Sequence, residues 1–175
     1  MPTIDKEVNV RPMTIGDIDA IFFIDHEIRK AGKAITYENL TTERIFTIDR
    51  HVGRSAKPVS YVDLIKGDIS ELLGFSFVAE VEGHVHGFIL GGIEHVGETA
   101  TKVGIIRIVG VHPECQRKSI ATNLVNAICE KYQSKGIKKI KIDIDQRDKQ
   151  LLSFVEHMGF NVGHLIDYSK TIWNH

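Results

Sequence analysis

The chain has 175 residues and a mass of 19.7 kDa, a length that suits one domain and buries a core without a metal or disulfide staple. With 42% hydrophobic and 26% charged residues, four prolines and fifteen glycines, it is neither disordered, collagen-like nor low-complexity. Twenty-two Lys and Arg against 23 Asp and Glu leave a net charge of −1, which argues against a nucleic-acid or membrane-surface partner bound through a dominant basic face.

Glu7 to Pro12 alternates around Val8 and Val10 and reads as an opening strand that Pro12 ends. Thr14 and Asp17 imitate a capping box before a helix over about Ile15 to Lys30, with Ile18, Ile21, Phe22 and Ile28 at helical spacing. A second helical stretch covers about Asn39 to Arg50. Between His51 and Leu73, punctuation by Gly53, Ser55, Pro58 and Gly67 breaks the pattern, although Val59, Tyr61, Val62, Leu64 and Ile65 give that segment something to pack with. Phe75 to Val81 and Val85 to Leu90 flank the turn pair Glu82-Gly83 and read as a hairpin. After a turn at Gly97 to Thr101, Val103 to Val111 is dense in β-branched residues, a strand buried on both faces. A helix follows from about Ser119 to Ser134 with Gly136 at its C-terminal cap position. Ile140 to Ile144 alternates apolar with charged residues as a further strand. Leu151, Phe154, Val155 and Met158 make a helix stripe closed by Gly159, and Phe160 to Trp173 should hold one more strand. The order is β-α-α-β-β-β-α-β-α-β: one α/β domain over residues 1–175, with a mixed central β-sheet flanked by helices.

Two cysteines, Cys115 and Cys129, are too few for a disulfide framework and fit a reduced compartment. The opening residues carry Asp5 and Glu7 and no apolar h-region, and no uncharged run approaches the ~20 residues of a membrane span. The expectation is a cytoplasmic protein with no membrane partner.

The stretch with chemistry is Val109-Gly-Val-His-Pro-Glu-Cys-Gln-Arg-Lys-Ser-Ile-Ala-Thr122. A buried strand runs through a short loop into a helix whose first turn leaves N–H groups without intrahelical partners. Those groups lie among the small residues Ser119 and Ala121 and beside the cations Arg117 and Lys118. Free donors, the positive helix end and little bulk make an anion site that a diphosphate fits.

Val109-x-Val111-x-Pro113 followed by Gln116-Arg-Lys-Ser-Ile-Ala121 resembles the acetyl-CoA motif of the GNAT N-acetyltransferase superfamily. Phe154-Val-Glu-His-Met-Gly-Phe160 resembles the F-Y-E-x-x-G-F element that follows it there. The resemblance runs from Val8 to about Trp173, and it implies a GNAT-like fold and acetyl-CoA as cosubstrate, with an amine as acceptor and a possible homodimer. It implies that backbone groups of the Val109-Gly110-Val111 strand face the pantetheine arm, which adds to the sheet as a peptide strand would. It also implies that the amides of Arg117, Lys118, Ser119, Ile120, Ala121 and Thr122 hold the pyrophosphate. Asp148 stands where many relatives use Asn to contact the pantetheine, and Phe154 is expected near the thioester end. Two positions depart from the pattern. Ser119 replaces the first motif glycine, where a positive φ disfavours a side chain, and Val155 stands where a subset of the superfamily has a tyrosine acid.

The implied reaction is attack of a neutral amine on the acetyl thioester, with a backbone N–H of the Val109–Val111 strand as oxyanion donor. A lysine-like amine is neutral in only about one molecule in 2,500 at pH 7, an α-amine in roughly one in six to one in eleven. A base therefore matters more for the former. Asp143, where some relatives carry a catalytic Glu, is the candidate; its alternative is a solvated carboxylate paired with Lys141 or Lys139. Tyr168 on the last strand is the candidate acid for the thiolate, or a half-buried sheet residue. Arg107, where several relatives place a Glu, cannot be a base but suits a substrate carboxylate through bidentate hydrogen bonds.

Other polar residues read more plainly. His84 and His86 share a strand face, but no carboxylate or Cys completes a metal set, so no metal is expected. His112 reads as a solvated loop residue and Cys115 as a structural thiol. The Lys135–Lys141 run solvates a helix end rather than binding nucleic acid. The expectation is direct acetyl transfer to a small amine, an amino acid or a protein N-terminus. A non-catalytic acyl-CoA-binding or sensor module and a protein-interaction subunit docking through 51–73 are the alternatives.

Overall fold

The computed structural model describes residues 6–31, 73–115, 119–144 and 146–172. The helix expected near 39–50 and nearly all of the 51–73 segment lie outside the described residues. Among the described residues five strands form one sheet in sequence order: β1 (Val8–Pro12), β2 (Phe77–Val81), β3 (His84–Val96), β4 (Thr101–Val111) and β5 (Ile140–Ile142). The first three junctions are antiparallel and the last, β4 to β5, is parallel. Among the described residues three helices cover it: α1 (Ile18–Lys30), α2 (Ile120–Ser134) and α3 (Lys149–His157). The mixed central sheet flanked by helices is the α/β architecture expected.

Local chemistry explains most of these elements. Glu82 and Gly83 both have positive φ, 52° and 79°, the signature of the tight turn whose twist matches a hairpin. Val103, Ile105, Ile106, Ile108, Val109 and Val111 of β4 are all buried, as a strand covered on both faces requires. On one face Ile21, Ile24 and Ile28 of α1 pack on Val78, Phe88, Leu90 and Ile108. On the other Ile120, Leu124, Ile128 and Tyr132 of α2 pack on Ala79, Ile89, Ile106 and Val109, with Phe154 and Met158 of α3 against that cluster. Both α2 and α3 end in the paired bonds of a Schellman motif: Ile137 N–H to Tyr132 O and Gly136 N–H to Gln133 O, then Phe160 N–H to Val155 O and Gly159 N–H to Glu156 O, each 3.0 Å.

The entry to α1 is held by a polar cluster. Arg11 on β1 donates to both carboxylate oxygens of Asp17 at 2.8 Å and, through Nε, to Glu80 on β2 at 2.8 Å. Asp17 also accepts from the Thr14 N–H at 2.8 Å and its hydroxyl at 3.1 Å. The expected reach from position 17 back to Thr14 is present, but residues 15–17 form a 3-10 turn and α1 proper starts at Ile18. The Arg11 hydrogen bond, chiefly, holds the Asp17 carboxyl below the usual carboxylate range against the cost of burial.

Two expectations fail. The strand foreseen over Ile140 to Ile144 stops at Ile142, and the C-terminal stretch forms no strand among its described residues, 160–172. Alternation of apolar residues marks a strand only where an edge can accept it. Here β5 pairs over three residues before the chain turns away to α3, and Val162, Leu165, Ile166, Tyr168 and Ile172 stay exposed.

The register of β3 and β4 contains an irregularity absent from any local pattern. Leu90 opposes Ile108 and Gly91 opposes Ile106, so Arg107 is an extra residue in β4. Such a bulge reverses which way each later residue faces. Before it Gly104, against the Tyr132 ring, and Ile106 belong to the α2 face, whereas after it Val109 and Val111 do.

Candidate active site

β4 and β5 pair only over Gly104–Ile106 and Ile140–Ile142. Among the described residues no strand continues beside Arg107–Val111 on that side, so the two strands part into a cleft. Before the bulge the Gly104 N–H points across to β5, donating to Lys139 O at 2.9 Å. At the far end the His112 N–H donates the other way, to His86 O on β3, at 2.7 Å. Backbone groups alternate sides along an antiparallel strand, so Gly110 and Ile108 also turn to β3 and Val109 and Val111 turn to the cleft. Without the bulge, Ile108 and Gly110 would face the cleft instead. Gly110 contributes space rather than a backbone group, because a Cβ there would lie 2.6 Å from the Phe88 ring.

Beyond β4, a 3-10 turn (Pro113–Cys115) leads toward α2, with Cys115 buried. Arg117 and Lys118 lie outside the described residues. Ser119 sits at the N-cap in the left-handed region, φ 58° and ψ 17°, and its side chain makes no capping bond. The Asn123 N–H closes the first helical bond to Ser119 O at 3.0 Å. The amides of Ile120, Ala121 and Thr122 therefore have no intrahelical acceptor. The Ile120 side chain is fully buried against Gly87, while Ala121 and Thr122 are half-buried.

α3 starts at Asp148, whose Oδ1 caps the helix by accepting the Leu151 N–H at 3.1 Å. Its Oδ2 is buried with no hydrogen-bond partner among the described residues. Such an atom is costly to leave unsatisfied and is built to accept a donor. The pantetheine arm of acetyl-CoA carries amide N–H groups, so the residues present fit that group. Phe154, one turn further along α3, packs against the α2-side core.

The remaining candidates divide. Asp143 is the first residue past the last β4–β5 pair, exposed, where the strands part. The Lys141 amine expected beside it pairs instead with Glu94 at 3.3 Å. Arg107 is half-buried and lies over Gly92, where a Cβ would stand 3.0 Å from its Nε. No carboxylate meets it among the described residues. Tyr168, expected on a last strand, is 89% exposed and lies on no strand among the described residues. Val155 is buried in the core. Burial, then Glu130, pushes the Cys129 thiol up, which makes it a poor nucleophile.

His112 stacks on Phe23 with ring centroids 6.0 Å apart and meets His86 edge-on at 6.2 Å. Its Nδ1 accepts the Glu114 N–H at 3.2 Å, so it is packed rather than simply solvated. Among the described residues no three His, Cys, Asp or Glu side chains gather as a metal-ligand set, and no helix is long and apolar enough to cross a membrane. A groove of about 720 Å³ lies elsewhere, between β1 and α2. Sequence reasoning missed the Arg107 bulge and the Asp148 cap; a D-x-x-L stretch before the apolar stripe was the available signal for the second.

Residues 42–160 match the family described as acetyltransferase (GNAT). Solved structures share the fold at low identity. An aminoglycoside N-acetyltransferase in complex with CoA is 14% identical, with 99% of each chain covered and a TM-score of 0.63. A ribosomal-protein-alanine N-acetyltransferase from Brucella melitensis biovar Abortus 2308 is 14% identical, with 96% of this chain and 99% of that one covered and a TM-score of 0.59. The glucosamine-6-phosphate N-acetyltransferase of Arabidopsis thaliana is 19% identical, with 95% and 99% covered and a TM-score of 0.56.

Proposed function

The chain belongs to the acetyltransferase (GNAT) family, and from that premise we propose that it moves an acetyl group from acetyl-CoA directly to a primary amine. The observation that carries this reading is the parting of β4 from β5 with Val109 turned to the opening. Acetyl-CoA supplies the activated acetyl thioester. The Val109 N–H, fixed in a buried strand, is placed to stabilise negative charge building on the thioester oxygen. The amides of Ile120, Ala121 and Thr122 hold the pyrophosphate at the start of α2, joined by Arg117 and Lys118. Asp148 Oδ2 accepts a pantetheine N–H, and Phe154 packs beside the arm.

On the acceptor, Arg107 favours a carboxylate-bearing amine such as an amino acid. Its guanidinium lies over Gly92 of β3 with no acid partner among the described residues, and Arg107 is the first β4 residue past the last β4–β5 pair. Solved relatives with this fold are named for aminoglycoside, protein-alanine and sugar-phosphate acceptors, so the fold alone does not choose. Asp143 is the base nearest the fork along the chain, and an α-amine, a good part of it already neutral at pH 7, asks little of it.

A second reading, an acyl-CoA-binding module without turnover, is favoured by one observation: Val155 is buried and Tyr168 is 89% exposed, so neither supplies a placed proton donor. Calorimetric titration with acetyl-CoA followed by a thiol-release screen over amines decides between them. Micromolar binding with turnover supports the transferase, and binding without turnover on any amine supports the module. If Arg107 reads the acceptor carboxylate, Arg107→Ala raises KM for amino acids at least tenfold, since a charge-assisted bond is worth about 1.5–3 kcal/mol. An unchanged KM contradicts that assignment.

A further inference from the structure

We propose that Tyr132 is a positioning residue for acetyl-CoA binding, whose hydroxyl holds open the β4 bulge that turns Val109 toward the cleft. This rests on the reading of the cleft as the acetyl-CoA site. Tyr132 lies on the last turn of α2, fully buried. Its carbonyl accepts the Ile137 N–H of the Schellman motif, which fixes the turn that carries it. The ring stacks on Phe75 with centroids 5.1 Å apart and lies flat on the sheet where glycine makes room. A Cβ at Gly104 would stand 2.9 Å from the ring, and one at Gly91 would stand 2.5 Å from the hydroxyl.

The hydroxyl reaches between β3 and β4. It accepts the Gly92 N–H at 3.0 Å and lies 2.8 Å from Gly92 O and 2.6 Å from Ile105 O, to one of which it donates. Gly92 and Ile105 face each other one pair away from the bulge. In a regular ladder those groups would bond to each other and draw the strands to standard spacing. Here a helix side chain takes them up, so the strands stay spread beside Arg107 with their buried polar groups satisfied. Take the hydroxyl away, and the Gly92 N–H and the two carbonyls regain partners only if the strands close. Closure competes directly with the extra residue at Arg107. Losing the bulge would face Ile108 and Gly110 to the cleft in place of Val109.

The test compares acetyl-CoA binding by calorimetry in the full chain, Tyr132→Phe and Phe75→Leu, at a temperature where all three are folded. Phe75→Leu loosens the same packing without touching the hydroxyl bonds. Tyr132→Phe should bind acetyl-CoA at least roughly tenfold more weakly than the unaltered chain, the effect of one buried hydrogen-bonding group. Phe75→Leu should lower the melting temperature and keep its affinity. Equal affinity in Tyr132→Phe and the unaltered chain overturns the proposal, as does an equal loss in Phe75→Leu. An unaltered chain that binds no acetyl-CoA instead overturns the reading of the cleft itself, which separates the two failures. Amide exchange in the unaltered chain gives a check that needs no folded variant: the Gly92 N–H should exchange as slowly as the Ile108 and Gly110 amides that turn to β3, and rapid exchange at Gly92 contradicts the proposal.

Discussion

Two polar regions of this molecule are built to opposite standards. Around Arg11 the charged groups are satisfied: its guanidinium bonds Asp17 through two nitrogens and Glu80 through a third, and Asp17 takes the Thr14 amide besides. Around the β4–β5 cleft the local rules are broken. Ser119 holds a left-handed backbone without glycine, Asp148 Oδ2 is buried without a donor, and Arg107 is an inserted residue with no acid partner among the described residues. A satisfied network only has to hold β1 against α1. Groups left strained or unmatched cost stability, and they persist where a ligand completes them. The contrast separates a structural cluster from a candidate site without reference to any relative.

Substitutions in the two regions should therefore have opposite signatures. The largest effect belongs to Ala121→Glu, which puts bulk and negative charge among the first-turn amides of α2. Acetyl-CoA affinity should fall more than about a hundredfold with little change in melting temperature; unchanged affinity by calorimetry would mean that the phosphate site is misplaced. Asp17→Asn should do the reverse, lowering stability by about 2 kcal/mol in denaturant titrations while acetyl-CoA binds as before. It carries a pH signature too. Because the folded-state carboxyl is depressed, its stabilisation is complete above the ordinary aspartate value of about 3.9 and disappears as pH falls through the depressed one. The unaltered chain should lose stability in that acid window and Asp17→Asn should show a flatter acid limb; identical limbs contradict the role given to the pair. The smallest effect is Ser119→Gly, which relieves the positive φ and should raise stability by up to about 1 kcal/mol. Affinity for acetyl-CoA should stay equal or tighten, and a loss would show that the Ser119 hydroxyl takes part in binding.

What could be read from the sequence tracks how local its cause is. The β-branched run Val103–Val111 and the Leu124–Ile128 stripe specify a strand and a helix from their own spacing, and both appear as expected. The turn at Glu82-Gly83 and the helix end at Gly136 are equally local. The resemblance around Val109 and Asp148 led to the cleft, and the alternation of the β4 backbone places Val109 and Val111 on its side. The bulge at Arg107 is a property of the register between two strands, and nothing within β4 announces it. Nothing in the α2 sequence singles out Tyr132; its place as a hydroxyl bridge needs Gly91, Gly92 and Gly104 brought beneath it from two other elements. The lack of a last strand among residues 160–172 has the same origin. Leu165, Ile166 and Tyr168 carry the right composition, but pairing is decided by the short edge of β5.

The central claim is that the bulged half of β4 receives acetyl-CoA through the backbone of Val109. Amide hydrogen exchange with and without acetyl-CoA tests it residue by residue. Ile108 and Gly110, turned to β3, should be protected in both states, whereas the Val109 amide should exchange quickly in the free protein and slow markedly once acetyl-CoA binds. Bound acetyl-CoA that leaves Val109 exchange unchanged would contradict the account.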